Sequence, residues 1–264
     1  MIRVCNFSSG SEGNCTYIEV NNSTRILIDA GISASIIVSR LKLLKVDPST
    51  IDGIIISHEH SDHIKGLDVF ASKYNIPIYA HQSLWPALNK KLTRILSIYK
   101  QVFYSQTFNI KDAIIDSVPV SHDASHTSAF KVSNGESGVA IITDLGIYDQ
   151  NVLALAQKCQ VVYIESNHDE EMLRTNPNYP FHLKKRILSS KGHLSNTQCA
   201  GAIETMARNG TKQFVLSHLS KHNNTPDKAF QTVCAILASK GIIESKHIKI
   251  DIASTEIGNI FKIV

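Results

Sequence analysis

Apolar residues fall along this chain in short runs, most of four to seven residues, bounded by small or polar ones. Runs of that length rich in Val and Ile are strands rather than helices. Residues 4–20 read as two β-like stretches around Ser8-Ser9-Gly10-Ser11-Glu12-Gly13-Asn14-Cys15, either a hairpin connection or a loop facing a substrate. Further strands are expected over 25–31, 54–57, 75–81, 113–121, 138–143, 161–164, 214–217 and 248–253. Between them lie segments with helical spacing, at about 35–44, from Ile64 to about Tyr74, 83–96, 195–208 and 226–239. In the fourth, Cys199, Ala202, Ile203 and Met206 mark one apolar face, and Pro226 suits the first turn of the fifth. The alternation predicts an α/β fold, and with no Pro/Gly/Ser linker or composition break residues 1–264 read as one domain.

The polar residues that end these runs carry the chemistry. Six runs finish on Asp29, His58, His122, Asp144, Glu165 and His218, and strands of an α/β fold bring such residues to one rim of a sheet. The densest point is Ser57-His58-Glu59-His60-Ser61-Asp62-His63, three imidazoles and a carboxylate directly after Ile54-Ile55-Ile56. Neutral imidazole and ionised carboxylate are the donors that zinc and related ions prefer, and packing them together without a cation costs desolvation and repulsion. Seven candidates, His58, His60, Asp62, His63, His122, Asp144 and His218, exceed one tetrahedral ion and suit two. The expected division gives His58, His60 and His122 to one ion, Asp62, His63 and His218 to the other, and Asp144 to the bridge. Asp29 is either a strand-end turn carboxylate or the acceptor that fixes the tautomer of a ligand imidazole.

Composition narrows the setting more than the chemistry. At 264 residues, with 43% hydrophobic and 19% charged residues, the chain reads as an ordinary globular protein, and no apolar run approaches the roughly 20 residues of a membrane span. The start, Met1-Ile2-Arg3-Val4-Cys5, lacks the pattern of a secretory signal, so a cytoplasmic protein is expected. Five cysteines without C-x-x-C spacing predict buried thiols rather than disulfides or a thiolate zinc site. The net charge of +4 is compatible with a polyanionic substrate and requires none.

His58-x-His60-x-Asp62-His63, followed in order by His122, Asp144 and His218, resembles the metallo-β-lactamase superfamily of metallohydrolases over essentially the whole chain. The resemblance implies a four-layer αββα sandwich with a dinuclear site at the edge of two facing sheets. Gly192-His193-Leu194-Ser195 and His218-Leu219-Ser220 are closer to its phosphodiesterase and nuclease branch, which includes the tRNA-processing ribonuclease Z. Ser8-Ser9-Gly10-Ser11, Ser121-His122-Asp123-Ala124 and Glu165-Ser166-Asn167-His168-Asp169 look most like the bacterial YycJ/WalJ group, for which a DNA exonuclease activity is implied. Asp144 stands where true β-lactamases carry cysteine, and the interval between His122 and Asp144 has no room for the substrate-gripping arm of ribonuclease Z.

The chemistry expected is hydrolysis of a phosphodiester, with DNA as the partner and two divalent ions as cofactors. Zinc is the default for this donor set, and manganese or iron would also be accommodated. Paired cations lower the pKa of a shared water and neutralise charge on the phosphate oxygens. Asp62 belongs to both the ligand and the catalytic set. His193 is the candidate proton donor to the leaving oxygen, with Glu165 orienting its ring or raising its pKa; a loop histidine near a helix start is the other reading. His168 and Asn167 either touch the phosphate or stabilise the turn after their strand. His126 is an alternative ligand, and Lys184-Lys185-Arg186 with Lys191 is either a guide for a nucleic-acid backbone or a solvated helix face. An acyl-thioester or lactone hydrolase would keep the same metals, whereas a non-catalytic metal-binding module would close them off.

Overall fold

Alternate residues of the central runs are apolar on both sides, so these strands need cover on both faces. The computed structural model describes residues 1–104 and 106–263 and supplies that cover with two sheets and flanking helices. The strands are β1 (Ile2–Ser8), β2 (Cys15–Val20), β3 (Thr24–Ile28), β4 (Gly53–Ile55), β5 (Ile78–His81), β6 (Lys100–Phe103) and β7 (Thr107–Ile110), then β8 (Ala113–Pro119), β9 (Ser128–Ser133), β10 (Gly138–Ile142), β11 (Cys159–Glu165), β12 (Gln213–Ser217), β13 (Lys249–Ile252) and β14 (Ile260–Ile263). The helices are α1 (Ala34–Leu43), α2 (Ser61–Ile64), α3 (Leu67–Tyr74), α4 (Trp85–Leu88), α5 (Gln150–Leu155), α6 (Glu170–Thr175), α7 (Phe181–Ile187), α8 (Asn196–Arg208) and α9 (Pro226–Ser239).

One sheet has the order β14-β1-β2-β3-β4-β5-β6 and the other β13-β12-β11-β10-β9-β8-β7. Each begins with four antiparallel strands and ends with three that continue in parallel. The two halves therefore echo one another in topology. Ile26 and Ile28 of β3, Val139 and Ile141 of β10, and Val161 and Tyr163 of β11 fill the space between the sheets. Their neighbours face outward: Leu27 packs under α1 and α3, while Ala140, Ile142, Val162 and Ile164 pack under α5, α8 and α9. The result is the four-layer αββα arrangement. No helix among the described residues is long and apolar enough to cross a membrane, and four of the five cysteines are buried thiols, Cys234 being half-buried.

Two helix expectations need correction. The segment 83–96 is helical only over α4. Beyond it the Asp68 carboxylate accepts from the backbone N–H groups of Thr93 and Arg94, which pulls the chain out of helical register while Leu92 and Ile95 stay buried. The single helix expected to end at Tyr74 is instead α2 and α3, separated at Gly66. There the backbone presses on the α1 loop: the Gly66 N–H donates to the Ala30 carbonyl at 2.9 Å, and a Cβ would stand 2.1 Å from the Ile32 carbonyl oxygen. Strands β6, β7, β9 and β14 were outside the predicted set. The basic group Lys184-Lys185-Arg186 is divided in α7: Lys185 is exposed, Lys184 is half-buried and donates to the Arg174 carbonyl at 2.7 Å, and Arg186 pairs with Asp123.

Gly66→Ala is expected to lower stability by at least about 2 kcal/mol, because the clash is with backbone and no side chain can yield. Urea denaturation of the purified variant measures this, and a midpoint equal to that of the parent would contradict the packing described.

Candidate metal centre

The parallel strands of both sheets end at one rim, and their last residues turn inward. Asp29 follows β3, Asp144 follows β10 and His218 follows β12, all three in the left-handed region with φ of 61°, 59° and 54°. That conformation costs a non-glycine residue on the order of 1–2 kcal/mol, which the packing around the rim must offset. His58, His60, Asp62 and His63 enter from the loop after β4 and from α2, and His122 from the loop after β8. A close backbone contact sets their height: a Cβ on Gly31 would fall 1.6 Å from the Asp62 carbonyl oxygen, and the Asn14 N–H donates to that same carbonyl at 2.7 Å.

The donors gather in two groups that share a carboxylate. Nitrogens of His58, His60 and His122 lie within 4.8 Å of one another, as do donor atoms of Asp62, His63 and His218; Asp144 is within the same reach of His58 with His63, and of His218. His58 Nε2 and His60 Nδ1 stand 3.1 Å apart, near the ~3.4 Å expected of two imidazoles on one tetrahedral zinc. Glu59, between them in sequence, is turned away and accepts from the Ser125 N–H and hydroxyl at 2.8 and 2.7 Å. His126 is also elsewhere, stacked on His81 with ring centroids 3.9 Å apart.

Three of the ligand imidazoles have their other ring nitrogen held by a partner that orients the ring. His63 Nδ1 donates to Asp29 Oδ2 at 2.7 Å, His122 Nδ1 to the Gly192 carbonyl at 3.1 Å, and His218 Nδ1 to Glu165 Oε1 at 2.8 Å. His122 Nε2 and His218 Nε2 are buried with no hydrogen-bond partner. Buried polar atoms of that kind are costly unless something satisfies them. A pair of divalent cations fits this donor set in number, in chemistry and in these unfilled atoms.

Electrostatics separates the two groups. Burial pushes His58 well below the ordinary histidine range, and it pushes His122 down as well, so both are neutral. Burial also acts against charge on His63 and His218, but Asp144 and Asp29 outweigh it at His63, which is raised well above the usual value. Asp144, Asp62 and Glu165 raise His218 to about 10. Asp62 and Asp144 are held down by the same imidazoles in spite of their burial. Protons and cations therefore compete for the second group.

Glu165, at the end of β11, is fully buried and accepts four hydrogen bonds. His193 Nδ1 lies at 2.7 Å, His218 Nδ1 at 2.8 Å, the Leu145 N–H at 3.0 Å and the Leu194 N–H at 3.2 Å. These hold its pKa at about 2 against desolvation. The His193 ring, 22% exposed, lines a cavity of about 170 Å³ together with Tyr179, Leu183 and Arg186. Burial lowers its pKa, but Glu165 and then Asp144 turn the balance upward. Arg186 makes a short ion pair with Asp123 at this rim.

Two expected substrate contacts sit differently. Asn167 faces the same cavity, yet its Nδ2 donates to the His218 carbonyl at 3.0 Å, which ties it to the strand end. His168 is 1% exposed with neither ring nitrogen partnered, and burial lowers its pKa to about 4. It has no surface to offer a substrate, which corrects the phosphate-contact reading. The sequence reading missed three residues. Ser57 Oγ donates to Asp29 and touches the Nδ1 atoms of His58 and His63 at 3.0 and 3.2 Å. Asn14 Nδ2 reaches His63 Nε2 at 3.0 Å, and Ser9 Oγ accepts from the His218 N–H at 2.7 Å. The small-residue loop is thus both a hairpin connection and a wall of the site, and its density of Ser and Asn was the available signal.

Residues 24–219 match the beta-lactamase superfamily domain. The chain belongs to this family. It is 35% identical over 235 residues to exodeoxyribonuclease YycJ of Bacillus anthracis, covering 89% of this chain and 88% of that protein. It is 38% identical over 234 residues to exodeoxyribonuclease WalJ of Streptococcus pneumoniae, covering 88% and 86%. Among solved structures, the metallo-beta-lactamase fold protein YhfI of Bacillus subtilis superposes with a TM-score of 0.73 at 15% identity, over 99% of this chain and all of that one. Like its superfamily, the chain is a metal-dependent hydrolase.

Cation uptake is expected to release protons from the Asp62–His63–His218 group, so apparent affinity rises with pH from about 6.5 toward 10. For the chelated protein the sign is opposite. A raised histidine pKa stabilises the fold fully below its unfolded value, and that contribution fades as pH climbs through the folded one. Calorimetric titration with zinc in buffers of different ionisation enthalpy, paired with melting curves of chelated protein at pH 6.5 and 9.5, measures both trends.

Proposed function

We propose that this chain is a dinuclear metal-dependent phosphodiesterase that hydrolyses DNA from its ends, with zinc as the resident ion and a cytoplasmic place of work. The observation that carries the reading is the Glu165–His193 pair set beside a double donor cluster. A metal site alone serves many hydrolyses, but a raised, partly exposed imidazole beside it serves one whose leaving oxygen needs a proton. The names of the 35% and 38% identical relatives point to DNA. The reading treats residues 1–264 as one domain, supported by the pairing of β14 with β1.

In this account His58, His60 and His122 would hold one cation, Asp62, His63 and His218 the other, and Asp144 would serve both. When bound, the two ions supply a water acidified to near neutrality and positive charge against the phosphate oxygens. The protein does the remainder. Asp29 and Glu165 orient His63 and His218 from behind, and the Gly192 carbonyl orients His122. Asp62, half-buried at the mouth of the site, is the group best placed to align the attacking water. His193 keeps its Nδ1 proton against Glu165 and transfers the proton on Nε2 to the leaving alkoxide.

His193→Ala is expected to lower kcat on a DNA oligonucleotide by about 10²–10⁴ while changing bis(p-nitrophenyl) phosphate turnover by less than about tenfold, since nitrophenolate departs without a proton. The parent's rate on DNA is expected to fall as pH rises through the raised His193 pKa, because the donor is then lost, and this limb disappears in the variant. A parent enzyme that is zinc-loaded yet cleaves neither substrate, or that turns over acyl-thioesters faster than both, would reject the proposal.

A further inference from the structure

Beside the Asp62 edge of the metal centre lies a second groove, of about 760 Å³, that the chemistry above leaves unused. Its walls are the small-residue loop, the start of α1, α2 and the stretch around Thr255, and it is lined by the hydroxyls of Ser8, Ser11, Ser33 and Ser61. Two cations face it, Arg40 and Lys65. Lys65 is exposed and has no ion pair among the described residues. Arg40 is half-buried: Nη2 donates to the Thr255 carbonyl at 3.3 Å, whereas Nη1 is buried with no hydrogen-bond partner. Burial lowers the Arg40 pKa, and nearby Cys15, Glu256 and Cys5 only partly oppose this, but the guanidinium stays charged. The acids on this groove are otherwise occupied. Glu12 is paired with Lys221 at 2.7 Å, and Asp62 belongs to the donor cluster. Helix α1, capped at Ser33 and free of acidic residues in its first turn, adds the positive end of its dipole.

We infer that this groove is a binding site for a phosphodiester anion of the substrate strand, held by Arg40 and Lys65, at least one nucleotide away from the bond being cleaved. A phosphate there would accept from Lys65 Nζ and from the Arg40 guanidinium, with Ser11 and Ser61 on the same lining. The site fixes the course of the strand, out of the metal centre past Asp62 and along α1, on the side away from His193. Substrates long enough to reach it gain affinity, and those with a single phosphodiester do not. The inference rests on the phosphodiesterase reading given above.

The test uses full-length protein and three substrates: bis(p-nitrophenyl) phosphate, a dinucleotide and a longer oligonucleotide. Arg40→Gln and Lys65→Ala are expected to leave turnover of the first two unchanged and to raise KM for the oligonucleotide about tenfold with kcat unaltered. Binding of a fluorescent oligonucleotide to chelated protein is expected to weaken in parallel. The slope of log affinity against log salt should fall by about 0.7–0.9 for each charge removed. Lys65 is exposed, so its variant reports even if Arg40→Gln folds poorly. Unchanged oligonucleotide KM and salt slope in Lys65→Ala, or equal losses on all three substrates, would overturn the inference. Weakening by inorganic phosphate alone, without a length dependence, would also count against it. Failure of the parent to cleave any of the three would instead reject the phosphodiesterase reading itself.

Discussion

Three carboxylates in the interior, Asp29, Asp144 and Glu165, govern the rest of this structure. None is more than 3% exposed, and their charged partners are imidazoles, one at Asp29 and several at Asp144 and Glu165, rather than lysine or arginine. A buried carboxylate needs both charge compensation and hydrogen bonds. Imidazole supplies either, in the form of a proton or of a lone pair that a cation can use. Against the effect of burial, the neighbouring carboxylates raise His63, His193 and His218, whereas burial lowers His58 and His122. The resulting arrangement accepts dications in exchange for protons without rebuilding its outer hydrogen bonds, because those run through the opposite ring nitrogens.

The same carboxylates tie the two sheets together. Asp29 belongs to the first sheet and holds His63; Asp144 and Glu165 belong to the second and hold His193 and His218. His63 Nε2 lies 3.1 Å from Asp144 Oδ2, so the donor cluster is itself an inter-sheet contact. Similar topology in each half puts parallel strand ends from both sheets at one rim, the place where α/β sheets bind ligands. The left-handed backbone at Asp29, Asp144 and His218 turns each side chain back over the rim. Rigidity there follows from the apolar layer directly beneath, where Ile28, Ile141 and Tyr163 pack between the sheets.

What could be read in the sequence was what short-range pattern encodes. Apolar runs fixed the central strands, and the residues following them supplied four of the seven candidate donors, His58, His122, Asp144 and His218, since a strand must expose its end to the loops. Edge strands were harder. In β6 and β7, Lys100, Gln101, Thr107 and Asn109 interrupt the alternation, because an edge faces water and needs less apolar cover. The segment 83–96 has helical spacing, but a single distant carboxylate, Asp68, ended the helix, and no local pattern announces such a contact. Ser57, Asn14 and the fourfold role of Glu165 were invisible for the same reason, since they depend on which strands become neighbours. His168 was left between a phosphate contact and a turn-stabilising role, because a histidine next to a strand end looks the same in sequence whether it points to the rim or beneath it.

The donor cluster explains hydrolysis without explaining choice of substrate, since its atoms would serve an ester as well as a phosphodiester. Choice must come from what surrounds it. The interval between His122 and Asp144 is taken up by β9 and β10, both needed to build the second sheet, so no arm emerges there to grip a folded RNA. The mouth is instead divided by the small-residue loop, with Ser11 bordering the His193 cavity on one side and the Arg40 groove on the other. One flank presents the His193 imidazole and an aromatic ring, the other the cations and serines of the Arg40 groove. On the phosphodiesterase reading proposed above, a polymer with a leaving group at one end of the scissile bond and regularly spaced anions at the other would use both flanks at once, whereas a small ester would use neither.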